Sequence, residues 1–360
     1  MVSVWLAIYT LSILWLIVGI KNYRSKPTRQ APITTAAISV IVPFRNEENN
    51  LKGLIACMQQ QTVQPHEWIF VNDHSTDNSL EKIYFSEKSI SYRIIELSAG
   101  EYGKKTAIRK AIITATTDYC LTIDADVTFS VGYIKQLGEL PTCDLLVLPV
   151  TMKAHRFWQL IFSIEYAITQ LLNLGVSGWI RPINCSGANL MFRRNTFLAT
   201  DDFSTHQHVL SGDDMYTLRA FRKNKKSIHV VSNKSLAVTT SVPNAIPNVL
   251  DQRSRWISKS GNVGDSLSNG LAFWAFVLHF SFFLLQIYFL FTQQYLFMGI
   301  VFFVKYLMDG FLLVCDPDQT NLRQFIGLLL FELLYPVYLI VLIFWTKSGR
   351  VSWKGRVIKQ

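Results

Sequence analysis

Val4 to Ile20 carries no charged residue, and the chain closes with three more apolar runs, Leu271 to Thr292, Tyr295 to Cys315 and Phe325 to Trp345. Spanning a bilayer's hydrocarbon takes about 20 apolar residues in a helix, so both ends of this chain are built for lipid. The stretch between them has mixed composition, although 50% of all residues are hydrophobic and the mean hydropathy is +0.23. A membrane protein with a sizeable soluble domain is implied.

Lys21, Arg24, Lys26 and Arg29 follow the first run with no intervening acid. Positive charge marks the cytoplasmic side of a span. Residues 1–22 therefore read as an anchor whose carboxyl side is cytoplasmic. Met1 to Trp5 lacks the positive charge that precedes a cleavable leader's apolar core, so the anchor is expected to be retained. At the other end the sequence sets two rules against each other. Three spans within 271–345 would carry the basic tail 346–360 outside, yet its Lys347, Arg350, Lys354, Arg356 and Lys359 stand without an acid and belong inside. Either one segment is re-entrant or interfacial, with Tyr295 to Cys315, which holds Lys305 and Asp309 four residues apart, the first choice, or the rule fails here. Those two charges are expected to pair with each other inside a bundle.

The net charge of +10 arises from 35 Lys and Arg against 25 Asp and Glu, with much of the excess beside membrane segments. Lipid headgroups and phosphorylated substrates account for it. No nucleic-acid-binding module is present. The five cysteines are scattered, with no C-x-x-C pair, and read as reduced core residues. Walker loop, G-x-S-x-G elbow and H-E-x-x-H are absent. His206-Gln207-His208 lacks a third ligand at defined spacing and reads as a polar loop.

From Ala37, short β-rich runs alternate with helical patterns: Ala37–Phe44 then Glu48–Gln60, Trp68–Val71 then Ser79–Ser86, Tyr92–Leu97 then Lys104–Thr114, and Tyr119–Ile123. Such alternation builds a parallel sheet covered by helices. Ligands bind beyond the carboxyl ends of its strands. The residues at those ends are polar and acidic: Arg45, Asn46, Glu47, then Asn72 and Asp73, then Asp124 and Asp126. Another strand, Cys143–Val150, precedes a long apolar-periodic segment, His155–Trp179, which suits either an interface helix (155–180) or a helix packed on the sheet.

Asp124 and Asp126 lie two apart at a strand end, where both carboxylates can face one cation bridging phosphate oxygens. A lone D-x-D is weak, and Asp316-Pro317-Asp318 repeats it in what reads as a membrane loop. Asp77 reads as a turn and helix cap, whereas Asp73 is placed to hydrogen-bond a base or ribose. Asp213 and Asp214 open an amphipathic helix. Dipole stabilisation of about 0.3–1 kcal/mol each justifies them as caps, and a general base is the equal alternative.

In order along the chain stand IVPFRNEE, VNDHSTD, GKKTAIRKA, TIDADV, SGANLMFRR, SGDD and QRSRW. From Ser39 to Trp256 this ordered set resembles the membrane-bound family 2 glycosyltransferases, the inverting GT-A class that includes cellulose, chitin and hyaluronan synthases. The resemblance implies an α/β GT-A domain over 37–262, with a Rossmann-like nucleotide-sugar-binding sheet, helices on both faces and transmembrane helices at both ends. It implies that Pro43, Glu47 and Asp73 hold base and ribose, that Lys104 lies near the diphosphate, and that Asp124 touches the nucleotide. Asp126, with Asp124, would bind Mg or Mn. Asp214 would be the base, while Gln252, Arg255 and Trp256 match Q-x-x-R-W, where arginine faces the diphosphate and tryptophan lines the acceptor site.

This chain departs from the pattern with Asn72-Asp73 where two acids are usual, Arg109 where Asn is usual, and Asp213-Asp214 for Glu-Asp. The expected activity is transfer of one sugar from a nucleotide-sugar, expected to be a UDP-sugar, to a lipid-linked or membrane-borne acceptor. The expected location is a bacterial inner membrane, multi-pass, with the catalytic domain cytoplasmic among membrane lipids. A short-chain processive synthase and a non-catalytic nucleotide- or partner-binding protein are the alternatives.

Overall fold

The computed structural model describes residues 2–25, 31–84, 90–206, 212–316, 321–348, 352–353 and 356–357. Lys26, Arg29, Gln207, His208, Pro317, Asp318 and most of the basic tail lie outside them. The strands are β1 (Ile38–Phe44), β2 (Glu67–Asn72), β3 (Tyr92–Glu96), β4 (Tyr119–Ile123), β5 (Leu145–Val147), β6 (Val150–Lys153), β7 (Asn189–Arg193), β8 (Ile228–Val230) and β9 (Val238–Ser241), with β10 (Ser352–Trp353) and β11 (Arg356–Val357) in the tail. The helices are α1 (Val2–Arg24), α2 (Glu48–Gln59), α3 (Ser79–Ile83), α4 (Lys104–Thr114), α5 (Tyr133–Leu137), α6 (Leu160–Trp179), α7 (Arg194–Thr200), α8 (Phe203–His206), α9 (Asp213–Lys223), α10 (Ile246–Val263), α11 (Ser266–Phe291), α12 (Tyr295–Val314) and α13 (Leu322–Lys347).

Seven strands form one sheet in the order β3-β2-β1-β4-β7-β5-β8. β1 to β4 are mutually parallel, as the alternation predicts. Every residue of β1, β2 and β4 is buried, which is why these strands read as continuous apolar runs. β7 departs from an all-parallel sheet. It pairs antiparallel with β4, Ile123 opposite Asn189, because the excursion through β6 and α6 returns the chain at the carboxyl end of β4 and leaves only the reverse direction along it. The predicted strand Cys143–Val150 is divided at Pro149. β5 stays in the main sheet, while Val150–Lys153 turns away to pair with β9 in a second small sheet, since proline has no N–H to continue a ladder.

Among the described residues five helices are long and apolar enough to cross a membrane: α1, Phe157–Trp179, α11, α12 and α13. The second differs from the rest, for 72% of its apolar window is buried in protein against 17–33% for the others. α6 is thus chiefly a packed helix. Its partner is α1, and the two backbones nearly touch: a Cβ on Gly178 would sit 1.9 Å from the Gly19 carbonyl oxygen, and one on Gly19 would sit 2.1 Å from that of Gly175. Such contacts need small residues. Trp179 closes the seam by donating from Nε1 to the Trp15 carbonyl at 2.8 Å and stacking on its ring.

Lys305 and Asp309 pair at 2.8 Å inside the bundle, the arrangement their spacing suggests. The structure adds two partners from distant segments: Glu332 of α13 also binds Lys305, and Tyr9 of α1 donates to Asp309 at 2.5 Å. All four side chains are buried. A second ionic knot ties sheet to bundle, where Asp265, just before α11, accepts from Arg181 at 2.6 Å and from Arg222 of α9 at 3.0 Å. Burial works against the Asp265 charge, but hydrogen bonds from Arg181 and Ser268 and the charge of Arg222 prevail and hold its carboxyl well below the usual carboxylate range.

Two outcomes follow from this packing. Gly178→Ala is expected to cost about 1–3 kcal/mol through overpacking, read as a lower thermal midpoint in detergent and faster proteolysis between α1 and the sheet. For Asp265 the folded carboxyl titrates below its unfolded value. Its contribution is complete above about pH 4 and is lost as pH falls toward the depressed native value. Asp265→Asn should flatten the acid limb of a stability-versus-pH curve and lower stability at neutral pH.

Candidate active site

The carboxyl ends of β1, β2 and β4 open on a single cleft, closed on the far side by the start of α9 and by α10. It holds about 520 Å³ of water-accessible space. All ten residues singled out from the sequence line it: Pro43, Glu47, Asp73, Lys104, Asp124, Asp126, Asp214, Gln252, Arg255 and Trp256. They come from segments more than 200 positions apart, and the sheet, the starts of α4 and α9, and α10 bring them together.

Backbone turns position the residues at the β1 and β2 side of the cleft. Asp73 is 2% exposed, ends β2 and accepts from the Gly103 N–H at 3.2 Å, at the glycine that starts α4. Arg45 spans the same corner by donating to the carbonyls of Asp73 and His74, each at 2.7 Å. Asp77 accepts from the N–H groups of Glu48 and Ser79 and so serves the starts of both α2 and α3, the capping role read from sequence.

Lys104, at the first position of α4, donates to Asp124 at 2.6 Å and lies 3.8 Å from Asp213. Burial opposes its charge, but Asp124 and Asp213, with Asp214 behind them, overcome this and hold the ammonium above its ordinary value. Asp126 accepts from the Thr240 hydroxyl at 3.2 Å. Asp214 accepts from the backbone N–H of Gly187 at 3.0 Å and of Met215 at 2.7 Å, which fixes its carboxylate against the β7 approach. A Cβ on Gly187 would lie 2.6 Å from Asp213 Oδ2 and 3.2 Å from Lys104 Nζ, so a larger residue would displace the ends of those two side chains.

On α10 the two arginines of QRSRW part company. Arg253 turns away from the cleft, 2% exposed, donates to Glu165 of α6 at 2.9 Å and lies 4.3 Å from the Trp256 ring centre. Arg255 lines the cleft. Burial pushes its guanidinium down from its ordinary value, against the opposing charge of Asp251. Trp256 meets Tyr166 of α6 with ring centres 5.8 Å apart.

Sequence reasoning did not reach Tyr166, Thr240 or Asp251, all of which line the cleft. Tyr166 is hidden within an apolar-periodic helix, and no short motif marks Thr240. Asp251 sits beside Gln252 and was there to be read. Arg109 is drawn off to Asp201 at 3.1 Å and to the Phe203 ring, so this departure from the family pattern lies outside the cleft. His206 is buried and stacked on Tyr216. With Asp201 and Asp202 it supplies the neighbouring ligand atoms that spacing did not reveal, but His206 already pairs with Asp202 at 3.2 Å and Asp201 with Arg109 at 3.1 Å.

Seven carboxylates and three cationic side chains face the cleft. That excess, with two aspartates at one strand end, fits a hard divalent cation with oxygen ligands.

Residues 39–141 match the family model described as glycosyl transferase family 2. That segment is a family 2 glycosyltransferase domain. Over 95 residues the chain is 35% identical to the undecaprenyl-phosphate 4-deoxy-4-formamido-L-arabinose transferase of Serratia proteamaculans, covering 25% of this chain and 28% of that one. Over 175 residues it is 27% identical to the 4,4'-diaponeurosporenoate glycosyltransferase of Staphylococcus aureus, covering 48% and 42%. The chain thus matches less than half the length of either relative. The fold extends further: the mannosyltransferase PcManGT from Pyrobaculum calidifontis, solved with GDP-Man and Mn2+, superposes with a TM-score of 0.53 over 99% of this chain and 100% of that one, at 15% identity. The architecture is the GT-A sheet with long apolar helices at both ends of the chain that the sequence led us to expect.

Gly187→Ala is predicted to push Asp213 and Lys104 apart. Both contact atoms are the ends of flexible side chains and can give way, so the variant should fold with a thermal midpoint close to that of the parent, well above that of Gly178→Ala, where the clash is with backbone.

Proposed function

We propose that this protein is a membrane-bound, inverting glycosyltransferase that moves a sugar from a nucleotide-sugar to a lipid-linked or membrane-borne acceptor. The observation that carries the reading is the convergence of Asp73, Lys104, Asp124, Asp126, Asp214 and Arg255 on one cleft roofed by α10. The names of the two curated relatives, which carry undecaprenyl-phosphate and 4,4'-diaponeurosporenoate, support the acceptor class. The apolar helices packed under the cleft support it independently.

In this reading Pro43, Glu47 and Asp73 hold base and ribose, while Lys104 and Arg255 face the diphosphate. Asp126, with Asp124, would hold Mg or Mn, which supplies Lewis-acid neutralisation of phosphate charge when bound. The acceptor hydroxyl oxygen attacks the anomeric carbon. The bond from that carbon to the phosphate oxygen breaks, its electron pair leaves with the nucleoside diphosphate, and Asp214 takes the hydroxyl proton. One displacement inverts the anomeric centre. Arg255 meets negative charge as it grows on the leaving group, and its partial burial strengthens that interaction. Trp256 and Tyr166 offer aromatic faces to the acceptor. In this reading the catalytic domain is cytoplasmic, which the Lys21 and Arg24 charges on its side of α1 support. A UDP-sugar is the expected donor, and the structural neighbour bound to GDP-Man makes GDP-sugars the necessary comparison.

The test uses detergent-solubilised protein, a panel of UDP- and GDP-sugars with Mg or Mn, and membrane lipid extract, scoring nucleoside diphosphate release. Release with one donor is expected, reduced about 100- to 1,000-fold by Arg255→Ala and abolished by Asp126→Ala. Asp214→Asn should abolish transfer and spare nucleotide binding, and undiminished turnover in that variant would remove Asp214 as the base. A ladder of products would replace single transfer with polymerisation.

A further inference from the structure

α13 is the segment whose length most invites reading it as a span, since its 26 residues would reach about 39 Å at 1.5 Å per residue. Both of its ends, however, are tied to the same soluble body. In its first turn Arg323 donates to the Ala154 carbonyl, just past β6, at 3.0 Å. Past its midpoint the Tyr338 hydroxyl meets Glu165 of α6 at 3.4 Å and the Tyr338 ring packs edge-on to Phe162. In its last turn Trp345 Nε1 donates to Asp251 of α10 at 2.8 Å, and Asp251 lines the cleft. Between these points Gly327 lies so close to α6 that a Cβ there would sit 3.0 Å from Leu160.

The other apolar helices attach differently. α1 meets the sheet at its carboxyl end, where the Tyr23 hydroxyl accepts from the Val230 N–H at 2.6 Å. α11 is fastened at its start through Asp265, and α12 at its finish, where Asp316 receives Lys234 at 2.6 Å. The turn joining α11 to α12 presents Phe291, Tyr295 and Leu296, all exposed. A helix that crosses about 30 Å of hydrocarbon delivers its ends to opposite faces of the bilayer. One soluble domain cannot hold both.

Resting on the membrane reading above, we propose that α13 does not cross: it lies in the leaflet next to the catalytic domain, which leaves α1, α11 and α12 as the spans. Its outward face suits that leaflet. Ile326, Leu329, Leu333, Val337, Val341 and Phe344 follow helical spacing and are each 39–70% exposed, forming one apolar stripe along the helix. Arg323 and Lys347 stand exposed at its two ends, where basic side chains meet anionic headgroups. This arrangement also removes the charge conflict in the sequence. With three crossings in place of four, the tail from Lys347 onward, which carries no acid, falls on the catalytic side, where the positive-inside rule puts it. The interfacial segment is then α13, and α12, which the sequence favours for that place, crosses with its charges paired.

The experiment uses the full chain with a C-terminal epitope, in inverted and in right-side-out membrane vesicles treated with protease. The epitope should be lost in the same vesicles in which the catalytic domain is cut. An epitope protected there would overturn the proposal. A second epitope inserted at Gln293 should show the opposite pattern, and a third inserted between positions 317 and 320 should be lost together with the C-terminal one; if the Gln293 epitope follows the tail, or the third epitope is protected where the catalytic domain is cut, α13 is not the segment that stays on one side and the proposal fails. Absence of nucleoside diphosphate release would count against the transferase reading and would leave the position of the epitope unchanged.

Discussion

Carboxylates crowded at the ends of neighbouring strands repel one another, and the site depends on the cation placed among them. Lys104 starts α4 at a point where its ammonium reaches Asp124 directly and Asp213 at 3.8 Å. The pair is short because the sheet sets β4 beside β1 while α4 begins at the glycine that also serves Asp73. One lysine therefore organises acids from two separate parts of the chain, and Gly187 keeps the space in which it does so.

α6 carries that organisation to the bundle of apolar helices. One face meets α1 backbone to backbone, and another presents Glu165 to Arg253 and Tyr166 to Trp256. The buried Arg253 guanidinium has an ionic partner within hydrogen-bond distance, as a desolvated charge requires. It fixes the turn of α10 that also supplies Gln252 and Arg255. The long apolar helices and the side chains that face the cleft thus belong to one packed unit.

The parallel half of the sheet and the site residues were legible because β1, β2 and β4 are buried on both faces and each is followed by a short polar motif. A continuous apolar run marks the first, and position after a strand marks the second. The reversal of β7 was not legible, because direction is decided by where the excursion through α6 returns, and no local pattern records it. Pro149 was a visible signal that Cys143–Val150 would divide. The place of Arg109 outside the cleft depends on Asp201 from a distant segment. The partners of Lys305 were half legible: the i,i+4 spacing shows Asp309, whereas Glu332 and Tyr9 arrive only through tertiary packing.

Tyr9 gives the first helix a significance beyond tethering. Its hydroxyl belongs to the buried set that also contains Lys305, Asp309 and Glu332, and Gly19 of the same helix seats α6. A chain cut after α1 would uncover the seam at Gly175 and Gly178 and leave Asp309 short of a donor in surroundings that cannot replace it with water. The amino-terminal segment is accordingly a structural subunit of the bundle, and the soluble half of this protein cannot be freed by trimming it away.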